Sequence, residues 1–236
     1  MRLFIGIPWQ DSGSDHRTES FDAVMRHLAL IFPGVDIATH ASGHTPFNLA
    51  ACRNGLASEA FHGGYDVMLL CDADLVLDPH AAHAAVLAAL EDSQLGKPRM
   101  HLPFDILRAL TPGGRRMVLD GADPDEAPAI DEFDWSVGGA IVCRPEVWWS
   151  VGGQDERFRG WGGEDTAFSC VASTLLGGLV RHIGAANHLW HPITVDQTSP
   201  EYIANFALLG RYGEAKGDSD AIWALINEHT KERTRP

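Results

Sequence analysis

Three times within its first 92 residues the chain sets down the same pair of segments, a short apolar run and then a longer stretch with helical spacing. "RLFIGIP" (2–8) is closed by Pro8, as a buried strand can be, and residues 17–32 follow with Phe21, Val24, Met25, Leu28 and Ile31 at helical intervals. "GVDIAT" (34–39) reads as a second strand and residues 47–62 as a helix with small residues along it. "YDVMLLCDADLVL" (65–77) begins as a third buried strand. The helix over 78–92 has Asp78 as its N-cap and Pro79 in the first helical position. A β-α-β-α-β-α order predicts an α/β domain with a mixed, mostly parallel sheet flanked by helices.

Beyond this the regularity breaks. Residues 111–134, "TPGGRRMVLDGADPDEAPAIDEFD", are rich in Gly, Pro and acids and show no clean period, which predicts a long binding loop or lid. "WSVGGAIVCR" (135–144) returns to strand. Residues 164–176 read as a helix ended by Gly177 and Gly178, and "LVRHIG" (179–184) as a short strand. Two helical segments come after it, near 200–212 and 218–231, and the closing "KERTRP" is expected to fray. The economical organisation is one domain over 1–236, with 193–236 as a C-terminal helical extension.

Charge and cysteines narrow the function classes. A net charge of −14 favours solubility and opposes nucleic-acid binding, whose non-specific part comes from Lys and Arg on phosphates. No stretch approaches the roughly 18 apolar residues of a membrane span, and Pro8 interrupts the N-terminus too early for a secretory signal. The chain reads as soluble and cytoplasmic. Cys52, Cys71, Cys143 and Cys170 are scattered with no CxxC pair, so neither a disulfide framework nor a structural zinc site is expected.

Two acidic pairs carry the chemistry. Asp72 and Asp74 come directly after the apolar run of the third strand, and alternation along a strand puts them on one face. Ligands of open α/β sheets bind beyond the carboxyl ends of the strands, and a divalent cation such as Mg²⁺ or Mn²⁺ would relieve the repulsion between two carboxylates there. The same Asp-x-Asp-x-Val pattern fits haloacid-dehalogenase-like phosphatases, with Asp72 as nucleophile. That family carries the pattern on its first strand and needs a lysine downstream. Here it falls on about the third strand, and Lys97 is the only lysine between Cys71 and Asp134. The second pair lies in "RFRGWGGEDTAF" (157–168). Gly162 and Gly163 permit positive φ or close ligand approach, and Glu164 and Asp165 fall where a helix dipole favours negative charge. An ionised aspartate at a pocket edge can accept a proton from an attacking hydroxyl, and Trp161 offers a flat apolar face to a sugar ring.

Residues 135–168, "WSVGGAIVCRPEVWWSVGGQDERFRGWGGEDTAF", resemble the GT-A glycosyltransferases, in the segment shared by β-1,4-galactosyltransferases, chondroitin-type polymerases and polypeptide N-acetylgalactosaminyltransferases. The glycines, Asp155, Glu156, Phe158 and Trp161 are all in step. Asp72-Ala73-Asp74 resembles the family's Asp-x-Asp motif, "IGIPW" with Arg17 its first strand and nucleotide loop, "FNLAACRNGLASEA" (47–60) its Asn-x-x-x-x-x-Arg-Asn-x-Gly helix, and "NHLWHP" (187–192) the segment that supplies a histidine to the metal. The resemblance runs from residue 3 to about 192.

It implies a nucleotide-diphospho-sugar transferase fold and a metal-dependent transferase that moves a hexose or N-acetylhexosamine from a nucleotide-sugar, UDP-linked by family default, to an acceptor hydroxyl. By resemblance, Asp74 binds Mn²⁺ (or Mg²⁺) directly, and Asp72 reaches the ribose or the metal through water. His188 is the third ligand, with His191 as the alternative. Pro8, Trp9 and Arg17 line the nucleotide pocket, Arg53 pairs with the diphosphate, and Asn54 supports it. Asp165 is the base, with inversion, while Glu164, Trp161 and Gly163 hold the acceptor. The sequence departs from the pattern at Gln10, where many relatives place an arginine, and at Leu49, which replaces a basic residue. A saccharide, a protein, a small molecule and a lipid-linked saccharide all remain open as acceptors. Modified bases of viral DNA are an alternative that the acidic charge disfavours. Against this stand the phosphatase and a module that binds nucleotide-sugar or glycan without turnover.

Overall fold

The computed structural model describes residues 2–11, 13–192 and 195–232, so the expectation for "KERTRP" lies largely outside the described residues. The predicted opening alternation is present: strand β1 (Leu3–Pro8), helix α1 (Asp15–Ile31), β2 (Ile37–His40), α2 (Leu49–His62), β3 (Val67–Cys71) and then, after a short β4 (Leu75–Leu77), α3 (Pro79–Gln94). Local caps account for two of these helices. Asn48 accepts a hydrogen bond from Ala51 N (2.9 Å) at the start of α2, and Asp78 accepts one from Ala81 N (2.8 Å) at the start of α3.

Next come β5 (Met100–Leu102), β6 (Ile106–Leu110), α4 (Pro112–Leu119), a 3-10 turn at Pro124–Glu126, β7 (Ala129–Phe133), β8 (Ala140–Cys143) and α5 (Pro145–Ser150). The chain continues as α6 (Glu164–Leu175), β9 (Leu179–Arg181), β10 (Ala185–His188), α7 (Pro200–Ala215) and α8 (Ser219–Glu232). The main sheet has the order β2-β1-β3-β8-β5-β9. β1 is parallel to β2 and β3, and β5 to β9, whereas β8 runs antiparallel to both neighbours. Every residue of β1, β3 and β8 is buried, which is why they read as unbroken apolar runs rather than alternations.

The reversal of β8 shapes one edge of this sheet. The strand's N-terminal end lies beside the carboxyl end of β3, with Cys71 opposite Ala140 and Asp72 N donating to Gly139 O (2.7 Å). A second sheet, β4-β10-β6-β7, packs at this edge.

The predicted lid over 111–134 is instead ordered structure. Thr111 caps α4 by accepting from Gly114 N (2.9 Å), Pro112 opens the helix, and β7 pairs antiparallel with β6. Arg108 fastens the connection, donating to Pro124 O (3.0 Å), Ala127 O (2.9 Å) and Glu132 (3.0 Å). A helix this short that opens Pro-Gly-Gly shows no period in the sequence, and that is what hid it. The two C-terminal helices are present, α7 running on to Ala215 and α8 shifted by one residue from its expected span. Tyr212 of α7 donates to Asp155 (2.9 Å), and Glu228 of α8 accepts from Arg157 (2.9 Å), so both are fastened to the segment that precedes the second acidic pair.

Candidate functional site

Asp72 and Asp74 do not continue a strand. β3 ends at Cys71, and the two acids occupy the turn into β4, so the common face expected from strand alternation is not what places them. They turn to different partners. Asp72 accepts from Arg53 Nη2 (2.8 Å), and Asp74 faces His188 Nε2 at 3.7 Å and His191 Nε2 at 3.3 Å. The histidines arrive by register: β10 runs antiparallel to β4 with His188 opposite Leu75, and Leu189 N donates to Asp74 O (2.8 Å). One carboxylate oxygen and two imidazole nitrogens thus lie within 4.8 Å of one another. The sequence left His188 and His191 as alternatives; the fold brings both to Asp74.

This donor set suits a borderline divalent ion, since carboxylate and neutral imidazole are both good ligands for Mn²⁺. Burial pushes the Asp74 carboxyl up, but the positive charge of His188 and His191 outweighs burial and holds it down at about 2. Asp74 in turn raises His191 through their hydrogen bond, against burial.

The other cluster is built on Arg53, which is 3% exposed on α2. Its guanidinium bridges Asp72 and Asp165, and Nη1 also reaches Gln154 Oε1 (3.4 Å). Arg53 is therefore committed to carboxylates of the protein itself, not left open for a diphosphate as the sequence suggested. The neighbouring Asn54 is a structural tie. It donates to Gln154 O (2.8 Å) and Glu156 (2.8 Å) and accepts from Trp148 Nε1 (2.9 Å), so α2 and the "GGQDE" turn are locked together. Trp148 is wholly buried, a packing residue.

Asp165 and Glu164 open α6, whose N-cap is Gly163 at φ +99°, a conformation in which a side chain is strained. Asp165 accepts through Oδ1 from both Arg53 and Gln154 (3.3 Å), while Oδ2 lies against Gly138, where any Cβ would overlap it. Gly138 was read only as part of a strand; it is the floor under the carboxylate. Three acids share the one guanidinium, so they cannot all ionise freely. Burial pushes Asp72 up to about 6 against the pull of Arg53, with Asp165 and Asp74 adding repulsion. Burial and then the charge of Asp165 push Glu164 up to about 7, and its Oε2 is buried without a partner. Glu164 is thus poised to carry a proton near neutral pH.

Two connected cavities meet at these clusters. One, about 420 Å³, is lined by Pro8, Arg17, Asp74, His188 and His191 among others, and runs into a recess of about 130 Å³ formed by Trp9, Gln10, Asp11 and Phe47 with Pro8 and Arg17. Trp9 stacks on Phe21, centroids 4.4 Å apart and planes 8° from parallel, and Gln10 Oε1 is buried without a partner. The second cavity, about 460 Å³, lies on the side of Trp161, Gly163 and Trp135. Asp72, Asp74, Trp161, Glu164, Asp165 and His188 line both. Trp161 is 58% exposed, on the surface of the site rather than in the core.

Sequence reading missed Gln154, Gly138, Trp135 and Asn205. Asn205 of α7 is buried; it donates to Arg159 O (2.8 Å) and Trp161 O (3.2 Å) and accepts from Arg159 N (3.0 Å). The C-terminal helices, which the family resemblance did not reach, hold the loop that carries Trp161. No motif marks such contacts across tens of residues.

No protein-family model matches the chain, and no curated protein matches it. Solved structures do. A Drosophila β-1,4-galactosyltransferase 7 mutant, in complex with manganese, UDP-Gal and xylobiose, superposes with a TM-score of 0.50 at 16% identity, covering 86% of this chain and 79% of that one. GalNAc-T7 with UDP, GalNAc and Mn²⁺ superposes with a TM-score of 0.56 at 13% identity, covering 97% of this chain. The chain has the GT-A fold. At these identities the likeness is one of architecture, and the match spans 55% of the GalNAc-T7 chain. Within the GT-A sheet, the Asp74 cluster and the Asp165 cluster lie at the edge where β3 ends and the reversed β8 begins.

Proposed function

We propose that the protein is a metal-dependent glycosyltransferase that moves a hexose or N-acetylhexosamine from a UDP-sugar to an acceptor hydroxyl, with inversion. The observation that carries this reading is that Asp74, His188 and His191 converge beside a cavity that Asp165 also lines. The ligands of the two structural neighbours support the donor class. The three described donors fit Mn²⁺ or Mg²⁺, which when bound neutralises charge on the leaving nucleoside diphosphate.

The chain's own residues do the rest. Pro8, Trp9, Gln10 and Arg17 form the recess for the nucleotide, and Arg17 is its cation. Arg53 and Gln154 fix Asp165 through Oδ1, leaving Oδ2 as the basic atom. The acceptor hydroxyl gives its proton to Asp165 as its oxygen bonds to the anomeric carbon, from the face opposite the departing UDP. The bond from that carbon to the phosphate oxygen breaks, and its electron pair leaves with UDP. Glu164, kept protonated by burial, donates a hydrogen bond to the acceptor and so orients it. The phosphatase reading loses its nucleophile, since Asp72 is tied to Arg53, and no lysine is among the described residues of either cavity.

Asp165→Asn tests the proposal. Removal of a positioned base costs about 10²–10⁴-fold in rate, so transfer from UDP-sugars should fall by that factor while UDP affinity in Mn²⁺ is kept. Equal loss of transfer and UDP affinity would refute the assignment, and unchanged transfer would remove Asp165 as the base.

A further inference from the structure

We propose that the second cavity selects an uncharged acceptor that carries a flat apolar group next to its reacting sugar, and that Trp135 is the residue that reads this group. The inference rests on the glycosyltransferase reading and narrows its acceptor.

The cavity has two unlike ends. Its inner end is the carboxylate cluster of Asp72, Asp74, Glu164 and Asp165, and its outer part is walled by Trp135, Trp161, Phe206, Leu107 and Leu209. At about 460 Å³ it falls within the range of small-molecule sites, roughly 300–1,000 Å³. No Lys or Arg is among the described residues that line it, and the nearby Arg53 is already bridged to two of the acids. A phosphate, a uronate or a nucleic-acid strand would meet acidic groups there with no Lys or Arg among the described lining residues to answer it.

The apolar wall is exposed and rigid. Trp135 is 70% exposed, an unfavourable place for a large apolar ring unless a ligand covers it. Its ring sits edge-on to Phe133, centroids 5.3 Å apart, and Phe133 is held in β7 opposite Leu107 of β6. Beyond it, Arg181 fixes Ser136 by donating to its carbonyl (2.7 Å). Across the cavity Trp161 lies parallel to Tyr202 at 6.2 Å, and Tyr202 packs on Phe206 at 4.4 Å. Trp135 and Trp161 are thus anchored aromatic side chains lining one cavity, and preorganised aromatic contacts of this kind favour binding by roughly three- to tenfold. Trp161 belongs to the sugar end beside Glu164; Trp135, the first residue of the 135–168 segment, is in neither acidic pair and is free to set acceptor choice.

The test is calorimetric titration of paired probes, the 4-nitrophenyl and methyl β-glycosides of xylose, glucose, galactose and N-acetylglucosamine, together with 4-nitrophenyl glucuronide, each with and without UDP and Mn²⁺. At least one 4-nitrophenyl glycoside should bind about three- to tenfold tighter than its methyl partner, and the glucuronide should bind no tighter than the methyl compounds. In Trp135→Ala the ratio should fall to about one. UDP affinity should persist, since Trp135 is not among the residues of the donor cavity. Equal affinities within every pair, tighter binding of the glucuronide, no binding of any probe, or an unchanged ratio in Trp135→Ala would each overturn the proposal. UDP binding in the same titrations reads the glycosyltransferase assignment separately: its failure, with the aryl preference intact, would remove the donor and leave the aromatic cavity.

Discussion

Asp72 and Asp74 stand two residues apart in one turn, and the fold sends them to opposite environments. Around Asp72 is a closed cluster in which one buried guanidinium holds two carboxylates and reaches Gln154. Around Asp74 is an open donor set, one carboxylate and two imidazoles at the edge of a cavity, with histidines delivered from a strand more than a hundred residues downstream. The first is complete on folding and fixes Asp165. The second is suited to a cation. An Asp-x-Asp pair at a strand end is thus not a symmetric clamp: its two carboxylates, two residues apart in one turn, have separate partners.

The comparison breaks most visibly if Arg53 is removed. Arg53→Met leaves Asp72 and Asp165, both partly buried, without their counter-charge; removal of one partner from a fully buried pair costs about 3–5 kcal/mol, and the loss here should lie at or below the lower end of that range. Urea unfolding should show that loss. A variant of unchanged stability would mean that the acids are solvated and the cluster is not closed.

The open set should respond differently. His191→Ala removes a ligand and little packing, so Mn²⁺ affinity should fall by about 100-fold, the upper end of what loss of a supporting partner does to a metal site, with the unfolding midpoint of the metal-free protein little changed. His188→Ala should do the same. If only one of the two matters to Mn²⁺, the shared site reduces to a single-histidine site.

A smaller perturbation reaches the closed cluster from below. Gly138→Ala places a methyl group against Asp165 Oδ2, and overpacking of this kind costs typically about 1–3 kcal/mol. Transfer should drop more than stability, because the carboxylate must move, while Mn²⁺ affinity is kept. Equal metal loss would show that the two clusters are not separable.

The finest distinction is in titration. In the metal-free protein, carbon-13 NMR of the aspartate carboxyls should place Asp72 near 6 and Asp74 near 2, on either side of the ordinary 3.8. The signs differ accordingly. The stability that Asp74 contributes is fully present above about 4 and lost as pH falls towards 2. Asp72 binds its proton more tightly folded than unfolded, so its contribution is lost as pH rises from about 4 through 6. Coincident midpoints would erase the contrast.

Much of the fold and site was legible in the sequence, for a physical reason: contacts local in the chain leave local patterns. The buried strands β1 and β3, the cap Asp78, and the glycine turn that places Glu164 and Asp165 at a helix start all read from neighbours a few residues apart. What stayed hidden was non-local. The choice between His188 and His191 could not be made because register against β4 brings both to Asp74. Arg53 was assigned to the nucleotide because nothing in its own helix announces Asp165, more than a hundred residues away. The ordered segment 111–134 looked like a lid because Arg108 and the β6 pairing, not local periodicity, hold it. Asn205 carries no signal at all, yet it fixes the backbone at Trp161.

The most direct test of the division between the two clusters is a calorimetric titration of UDP into the wild type, Asp74→Ala and Asp165→Asn, with and without Mn²⁺. The wild type should bind UDP in a Mn²⁺-dependent way, Asp165→Asn should match it, and Asp74→Ala should lose the metal-dependent part. Metal-independent UDP binding in all three proteins, or equal loss in both variants, would contradict a donor site built on Asp74 that is distinct from the base at Asp165.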